Sequence, residues 1–170
     1  HAFTMGGIHG ALCIPSRAMI MTGRTIYRAP DSIPAHLPLW PGHFAAHGYT
    51  SWMTGKWHNN RESLNRAFAG SGPIFFGGMT DQNAVTVQDF DPTGKYPDSH
   101  QRSVTRNATE MFTDAAIDFI KNQPADKPFI AYVAYTSPHD PRTAPKHYHE
   151  LYPAEKIALP PNFQFQHAFD

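Results

Sequence analysis

The 170-residue chain lacks several features that assign proteins to a class at once. It contains one cysteine, Cys13, so it forms no internal disulfide, and its compartment cannot be inferred from disulfide content. It has no run of eighteen apolar residues, which excludes a membrane-spanning helix. Its 14 basic and 14 acidic residues give a formal net charge of zero, so no basic surface suggests nucleic-acid binding. A globular domain of ordinary size remains.

The eleven histidines raise the question of a zinc site. His147 and His149 are the only two that lie within two positions of each other, and one cysteine cannot complete a structural zinc site. We therefore expect the histidines near the end of the chain to lie on exposed loops. The sequence also contains no adjacent pair of aspartates, and Asp89 and Asp91 are the closest approach to one.

The single cysteine begins a short string with helix-start chemistry. Pro15 and Ser16 favour the first turn of a helix, and Gly23 favours its end. Cys13 should therefore lie at a helix N-terminus, where free N–H groups and the helix dipole attract anions. A lone cysteine is more often a small buried hydrophobic residue. As a nucleophile, however, it would meet a negatively charged group there.

A second informative string runs from Gly48 to His58. Residues 49–53 are β-prone, and we expect Gly55 to end the strand, so that Lys56 and His58 follow on a loop. Lys56 would offer a point charge to an anion, and His58 would act as a base near neutral pH. Each residue alone would more simply be a surface lysine or a structural histidine.

The third string follows an apolar segment at 128–135, which predicts a strand buried on both faces. His139 lies just beyond its C-terminal end, where ligands bind in open α/β sheets. The sequence Pro138-His139-Asp140-Pro141 is also good turn chemistry. The two interpretations are compatible, because a turn can fix the histidine.

Helices are predicted at about 15–22, 37–47 and 104–122, and strands at 49–53 and 128–135. Residues 1–12 are predicted as a loop, and residues 59–100 show no clear period, which suggests loops or short hairpins. The alternation of helices and strands predicts an α/β fold with a mainly parallel sheet and long loops.

Taken in order, these strings resemble the signatures of the type I sulfatases. The strings are Cys13-x-Pro15-Ser16-Arg17 followed by Thr22-Gly23, then Gly48-Tyr49 with Gly55-Lys56-Trp57-His58, then Pro138-His139. The tail from Pro141 to Asp170 is similar to a loop region of bacterial carbohydrate sulfatases. The resemblance implies part of an alkaline-phosphatase-like α/β sandwich with a mainly parallel central sheet, incomplete at both ends.

The resemblance also implies roles for five residues. Cys13, oxidised to formylglycine, would be the nucleophile and one ligand of a calcium ion or, alternatively, a magnesium ion. Arg17 would steady the hydrated aldehyde. Lys56 and His139 would hold the sulfate, with His139 a candidate proton donor to the leaving alcohol. His58 would remove the proton that lets sulfate depart.

The metal-binding aspartates and second lysine of the family have no counterpart in this sequence. We therefore expect residues 1–170 to be an internal fragment of the N-terminal catalytic domain, with the other metal ligands outside the chain. The fragment alone should be inactive, and marginally stable or prone to aggregate. The implied partners are a sulfated saccharide and a formylglycine-generating or sulfatase-maturing enzyme, and the implied location is periplasmic or secreted.

Three alternatives remain open at this stage. The protein could hydrolyse phosphate or phosphonate monoesters, which relatives in the same superfamily do. It could be an unmatured chain that only binds sulfated sugars. A thiol hydrolase is disfavoured, because Pro15 and Arg17 would have no role in it. His100, Arg102 and Arg142 could grip a sugar, although solvated surface charge is the simpler interpretation of each.

Overall fold

The computed structural model describes residues 13–29 and 32–166, so the predicted loop at 1–12 lies outside the described residues. Within that part of the chain the helices are α1 (Cys13–Thr22), α2 (Trp40–Ala45), α3 (Arg61–Ala67), α4 (Ala108–Lys121) and α5 (Lys146–His149). The strands are β1 (Thr50–Lys56), β2 (Gly70–Phe75), β3 (Val85–Val87), β4 (Arg102–Val104) and β5 (Phe129–Ala134). No helix among these residues has the length and hydropathy to cross a membrane.

The main sheet has the order β2-β1-β5, and both pairings are parallel. Strands β3 and β4 form an antiparallel hairpin, which an isolated bridge between Ile74 and Gln88 attaches to the end of β2. The α/β class with a parallel sheet is therefore confirmed. Parallel strands place their C-terminal ends at one edge, so β1 and β5 deliver the residues that follow them to the same place.

Strand β1 is longer than predicted, and Gly55 does not end it. Gly55 lies inside the strand with φ of +97°, opposite Ala134, and a Cβ there would come within 2.0 Å of the carbonyl oxygen of Ala134. Glycine therefore permits a close approach of two strands here rather than a turn. As a consequence Lys56 is the last residue of β1 and not a loop residue.

The prediction that β5 is buried on both faces is wrong for the described residues. The strand is only partly buried, and Phe129 at its start is 38% exposed. Its described pairing is with β1 alone, so among residues 13–29 and 32–166 it is the last strand on that side of the sheet. The apolar sequence of β5 correctly predicted a strand, but it did not predict how far the two faces of that strand are buried.

Helix α4 is shorter than the predicted 104–122 because Asn107 caps it. The Asn107 side chain accepts hydrogen bonds from the backbone N–H groups of Thr109 and Glu110, and Val104 pairs with Val85 in the hairpin instead. The side chains that the helix buries are Ala108, Met111, Phe112 and Ala116.

The predicted helix at 37–47 covers only α2, whose first turn contains Pro41. The segment 59–100, predicted as loops or hairpins, also contains α3 and β2. These elements have only 7 and 6 residues, too few to show a clear period in the sequence. Their packing depends on the core that lies under α1, β1 and α3. Its largest fully buried side chains include Trp57, Tyr96, Phe68 and Met21.

Candidate active site

Helix α1 carries two of the predicted site residues on one face. Cys13 begins the described helix and Arg17 follows one turn later, while Ala18 and Met21 fix the helix in the core. The Arg17 guanidinium donates a hydrogen bond of 2.5 Å to the carbonyl oxygen of Lys56. It also lies 3.4 Å from the hydroxyl of Tyr132 on β5. Arg17 thus joins α1 to the C-terminal part of the sheet.

Lys56 is a buried lysine, only 2% exposed, which excludes its interpretation as a surface residue. Its ammonium donates a 2.6 Å hydrogen bond to the carbonyl oxygen of Gly78. Burial lowers the pKa of Lys56, and the Arg17 charge lowers it further, whereas nearby Cys13 raises it. No ion pair to a carboxylate is recorded for this lysine among the described residues. Within the described part of the chain, this ammonium is therefore held by a backbone carbonyl oxygen and not by a carboxylate.

His58 lies two residues beyond β1 at a left-handed backbone position, φ 47°. Burial lowers its pKa to about 4, and Lys56, Arg17 and His139 add to the effect in that order. At neutral pH the imidazole is therefore uncharged. Its Nδ1 atom is buried and has no hydrogen-bond partner among the described residues. A neutral ring in this position can accept a proton.

His139 lies on the turn that follows β5, as predicted. Its backbone N–H donates a 3.1 Å hydrogen bond to the carbonyl oxygen of Thr136, so the turn is present. The ring is half-buried and close enough to His58 to lower the pKa of that residue. The five predicted site residues therefore converge from α1 and from the ends of β1 and β5.

Two further residues hold this cluster and were missed by the sequence reasoning. Gly78 accepts the Lys56 hydrogen bond and lies against the His58 ring, where a Cβ would approach Cε1 to 2.8 Å. Asn59 donates to the carbonyl oxygen of Ile14 in the first turn of α1, at 3.3 Å, and accepts from the N–H of Ile33, at 3.1 Å. The Gly-Gly pair at 77–78 was the only available signal, because both contacts are long-range.

The three residues predicted as candidates for sugar contacts are exposed, unlike Lys56. Arg102 pairs with Asp89 at 2.8 Å and Arg142 pairs with Asp140 at 2.9 Å, and all four side chains are exposed. His100 is exposed in a 3-10 turn. These arrangements are typical of surface charge.

The side chains that could bind a divalent cation are dispersed among the described residues. Among residues 13–29 and 32–166, no group of three or more His, Cys, Asp or Glu side chains is placed to bind a metal ion. Asp91 is engaged by the backbone N–H groups of Thr93 and Tyr96, and Asp89 by Arg102. The described residues therefore do not form a metal site by themselves.

The fold is that of known sulfatases with the alkaline-phosphatase-like architecture. The solved structure of BT4656 in complex with its substrate D-glucosamine-2-N,6-O-disulfate superposes on this chain with a TM-score of 0.70. It is 24% identical in sequence, and the match covers 89% of this chain and 30% of that one. At this level of identity the comparison establishes the fold alone.

Sequence comparison establishes the family. The family description Sulfatase matches residues 2–162, so the chain belongs to the sulfatase family. It is 29% identical to human N-acetylgalactosamine-6-sulfatase over 79% of this chain and 32% of that protein. It is 30% identical to an arylsulfatase of Hemicentrotus pulcherrimus over 81% of this chain and 30% of that protein. The chain thus spans about a third of the length of these relatives.

Proposed function

We propose that the protein to which this chain belongs hydrolyses sulfate monoesters of a carbohydrate, with Cys13 matured to formylglycine as its nucleophile. The observation that carries the proposal is the convergence of Cys13, at the start of α1, with two fixed cations and two histidines. A cluster of this kind suits a small tetrahedral anion. Carbohydrate is supported by the relative named for N-acetylgalactosamine 6-sulfate and by the neighbour bound to a glucosamine disulfate.

The nucleophile forms only after the Cys13 thiol has been oxidised to the aldehyde of formylglycine. A maturing enzyme would catalyse this oxidation with its own oxidant. The hydrated aldehyde carries two hydroxyl groups, one to attack the sulfur atom and one to expel sulfate afterwards. An unmodified thiol has no second hydroxyl for that step. The position at the start of α1 favours the negative charge that develops during attack.

Arg17 and Lys56 supply the charge that the sulfate oxygens need. Arg17 is held by the carbonyl oxygen of Lys56, and Lys56 by the carbonyl oxygen of Gly78, so neither must reorganise when the substrate binds. Charges fixed in a poorly solvated site stabilise a transition state more than the same charges in water. Lys56 would contact a sulfate oxygen, and Arg17 would steady the hydrate of residue 13.

The two histidines are suited to different proton transfers. His58, uncharged at neutral pH because it is buried, would take the proton from the second hydroxyl. His139, on the turn after β5, would contact the sulfate and protonate the leaving alcohol. Neighbouring titratable groups in unequal environments commonly divide acid and base roles in this way.

Calcium, or alternatively magnesium, remains part of the proposal through the family resemblance alone. Such a cation takes oxygen ligands, which the hydrate of residue 13 and carboxylates outside this chain would have to provide. No step above is assigned to it, because the described residues do not form its site. A periplasmic or secreted location is likewise proposed from the resemblance.

The proposal is tested on the full-length protein, co-expressed with a maturing enzyme. Mass spectrometry of the peptide containing residue 13 should show an aldehyde in place of the thiol, and Cys13→Ala should abolish sulfate release. Cys13→Ser should do the same unless a maturing enzyme that accepts serine is present. Wild-type turnover by Cys13→Ala, or by protein that retains the thiol, would contradict the nucleophile.

Paired sulfate and phosphate esters of the same alcohol test the reaction class. We expect faster release of sulfate, because the Gly55-Lys56-Trp57-His58 string and Pro138-His139 resemble sulfatase signatures and the chain belongs to the sulfatase family. Faster release of phosphate would instead support the phosphate or phosphonate ester hydrolase.

A further inference from the structure

His139 lies on the turn after β5 and not inside a helix or strand. Its own recorded side-chain contact is weak, a 3.2 Å approach of Nδ1 to the neighbouring carbonyl oxygen of Asp140. The turn that carries it lies at the edge of the described sheet. Something else must hold this ring in place if it is to act on a bound sulfate ester.

The glutamine at position 82 reaches this turn from the loop between β2 and β3. Its Nε2 donates a 3.3 Å hydrogen bond to the carbonyl oxygen of His139. Its Oε1 accepts from the hydroxyl of Thr136 at 2.6 Å and from the hydroxyl of Ser137 at 3.2 Å. One amide group therefore joins both ends of the turn, and Gln82 is only 1% exposed.

Gln82 is itself fixed by the structure behind it. Its carbonyl oxygen accepts a 2.7 Å hydrogen bond from the N–H of Ala108, the first residue of α4. The adjacent Thr109 hydroxyl lies 3.4 Å from the hydroxyl of Ser137. A free N–H group at the N-terminus of α4 thus holds Gln82 in place, and Gln82 in turn holds the turn at 136–139.

The contacts require the particular chemistry of glutamine. The side chain must present an acceptor to two hydroxyl groups and a donor to a carbonyl oxygen, at the end of two methylene groups. Glutamate would place a second acceptor against the His139 carbonyl oxygen, and methionine would remove both functions while keeping a similar volume. The donor half of the amide is the half that touches the residue carrying the reactive ring.

We infer that Gln82 is a positioning residue for His139, acting on the chemical step of sulfate ester hydrolysis through the backbone of the turn. The inference rests on the proposed function, because it needs His139 to act on the leaving group. Gln82 touches neither the substrate nor the reacting atoms. Its loss should therefore slow the reaction only as far as it displaces the His139 ring.

The test compares two buried glutamines in the full-length matured protein. Gln88 is 2% exposed and donates a 2.6 Å hydrogen bond to the carbonyl oxygen of Pro97, so it is a structural counterpart without contact to His139. We expect Gln82→Met to lower kcat about tenfold to a hundredfold with KM little changed, since a displacement of about 1 Å can cost that much. Gln88→Met should leave kcat unchanged, and thermal denaturation would show what each variant loses in stability.

A double-mutant cycle separates positioning from a general loss of structure. In the His139→Ala background, Gln82→Met should produce no further loss of kcat, because the group it positions is already absent. Equal additional losses in the two backgrounds would overturn the inference. If Gln82→Met fails to fold, Gln82→Glu decides, because it keeps the volume and the acceptor for Thr136. We expect that variant to lose kcat as well, and a wild-type kcat in it would overturn the inference.

Different results would contradict the proposed function and the role of Gln82. A matured wild-type protein that releases no sulfate would contradict the proposed function, and with it the basis for a role of Gln82. An active wild type in which Gln82→Met and Gln88→Met behave alike would contradict this inference alone.

Discussion

The two halves of the candidate site are held by different forces. On one side α1 and β1 carry Arg17 and Lys56 inside the main core, where each is bonded to a backbone carbonyl oxygen. On the other side His139 lies on a half-exposed turn after β5, and its backbone carbonyl oxygen accepts a hydrogen bond from Gln82. Core packing fixes the half that carries Arg17 and Lys56. The hydrogen bonds of the Gln82 side chain fix the half that carries His139. A site can therefore combine charges that must not move with a proton donor on a more adjustable segment.

The two halves meet where β1 pairs with β5, and substitution at this point should have the largest effect on stability. Gly55→Ala would force a Cβ to within 2.0 Å of the Ala134 carbonyl oxygen at a φ of +97°. We expect a destabilisation of more than about 3 kcal/mol, or failure to fold, because β1 and β5 would have to separate. Thermal denaturation of the full-length protein measures this.

Gly48 provides the matched control for that experiment. It has a similar φ of +91°, but a Cβ there meets nothing within 4 Å. Gly48→Ala should cost only the backbone strain, about 1–2 kcal/mol. Equal losses in the two variants would show that the close approach of the strands is unimportant.

In the half of the site formed by α1 and β1, replacing Lys56 should lower activity without lowering stability. Lys56→Ala or Lys56→Met should slow sulfate release by about 10²–10³-fold, because a charge aimed at the sulfate is lost. Lys56→Met should leave the thermal midpoint unchanged or raised, since the lowered pKa means that folding disfavours the buried charge. A marked destabilisation by Lys56→Met would contradict this account.

Replacing His139, on the turn after β5, should affect stability differently from replacing Lys56. His139→Gln should also slow the reaction, but with no gain in stability, because the ring is half-exposed and lies outside the core. Measured side by side with Lys56→Met, the pair of thermal midpoints tests whether burial distinguishes the two halves.

The smallest expected effect concerns pH and His58. Its folded pKa is about 4 because of burial, against 6.5 for an exposed histidine, so the unfolded chain binds the proton more tightly between these values. The contribution of His58 to stability is therefore complete above about pH 6.5 and is lost as the pH falls toward 4. In His58→Gln the stability should fall less steeply across this window. Identical slopes for the two proteins would contradict the lowered pKa.

The sequence predicted those parts of the fold and site that depend on local chemistry. The helix after Cys13, the strand cores of β1 and β5 and the helix at α4 follow from turn residues, capping residues and apolar period. The bounds of β1 were wrong because Gly55 serves a contact with Ala134, a residue 79 positions away, rather than a turn. Helix α3 and strand β2 were missed because short elements give little periodic signal.

The kinds of reactive group and their order along the chain follow from the amino-acid sequence, because the strings around Cys13, Lys56, His58 and His139 are local and resemble a known family. The burial of Lys56, the uncharged state of His58 and the contacts made by Gly78, Asn59 and Gln82 follow from the three-dimensional packing. Burial and electrostatic interactions set the pKa values, and they arise between residues far apart in the chain. No local pattern can therefore specify them.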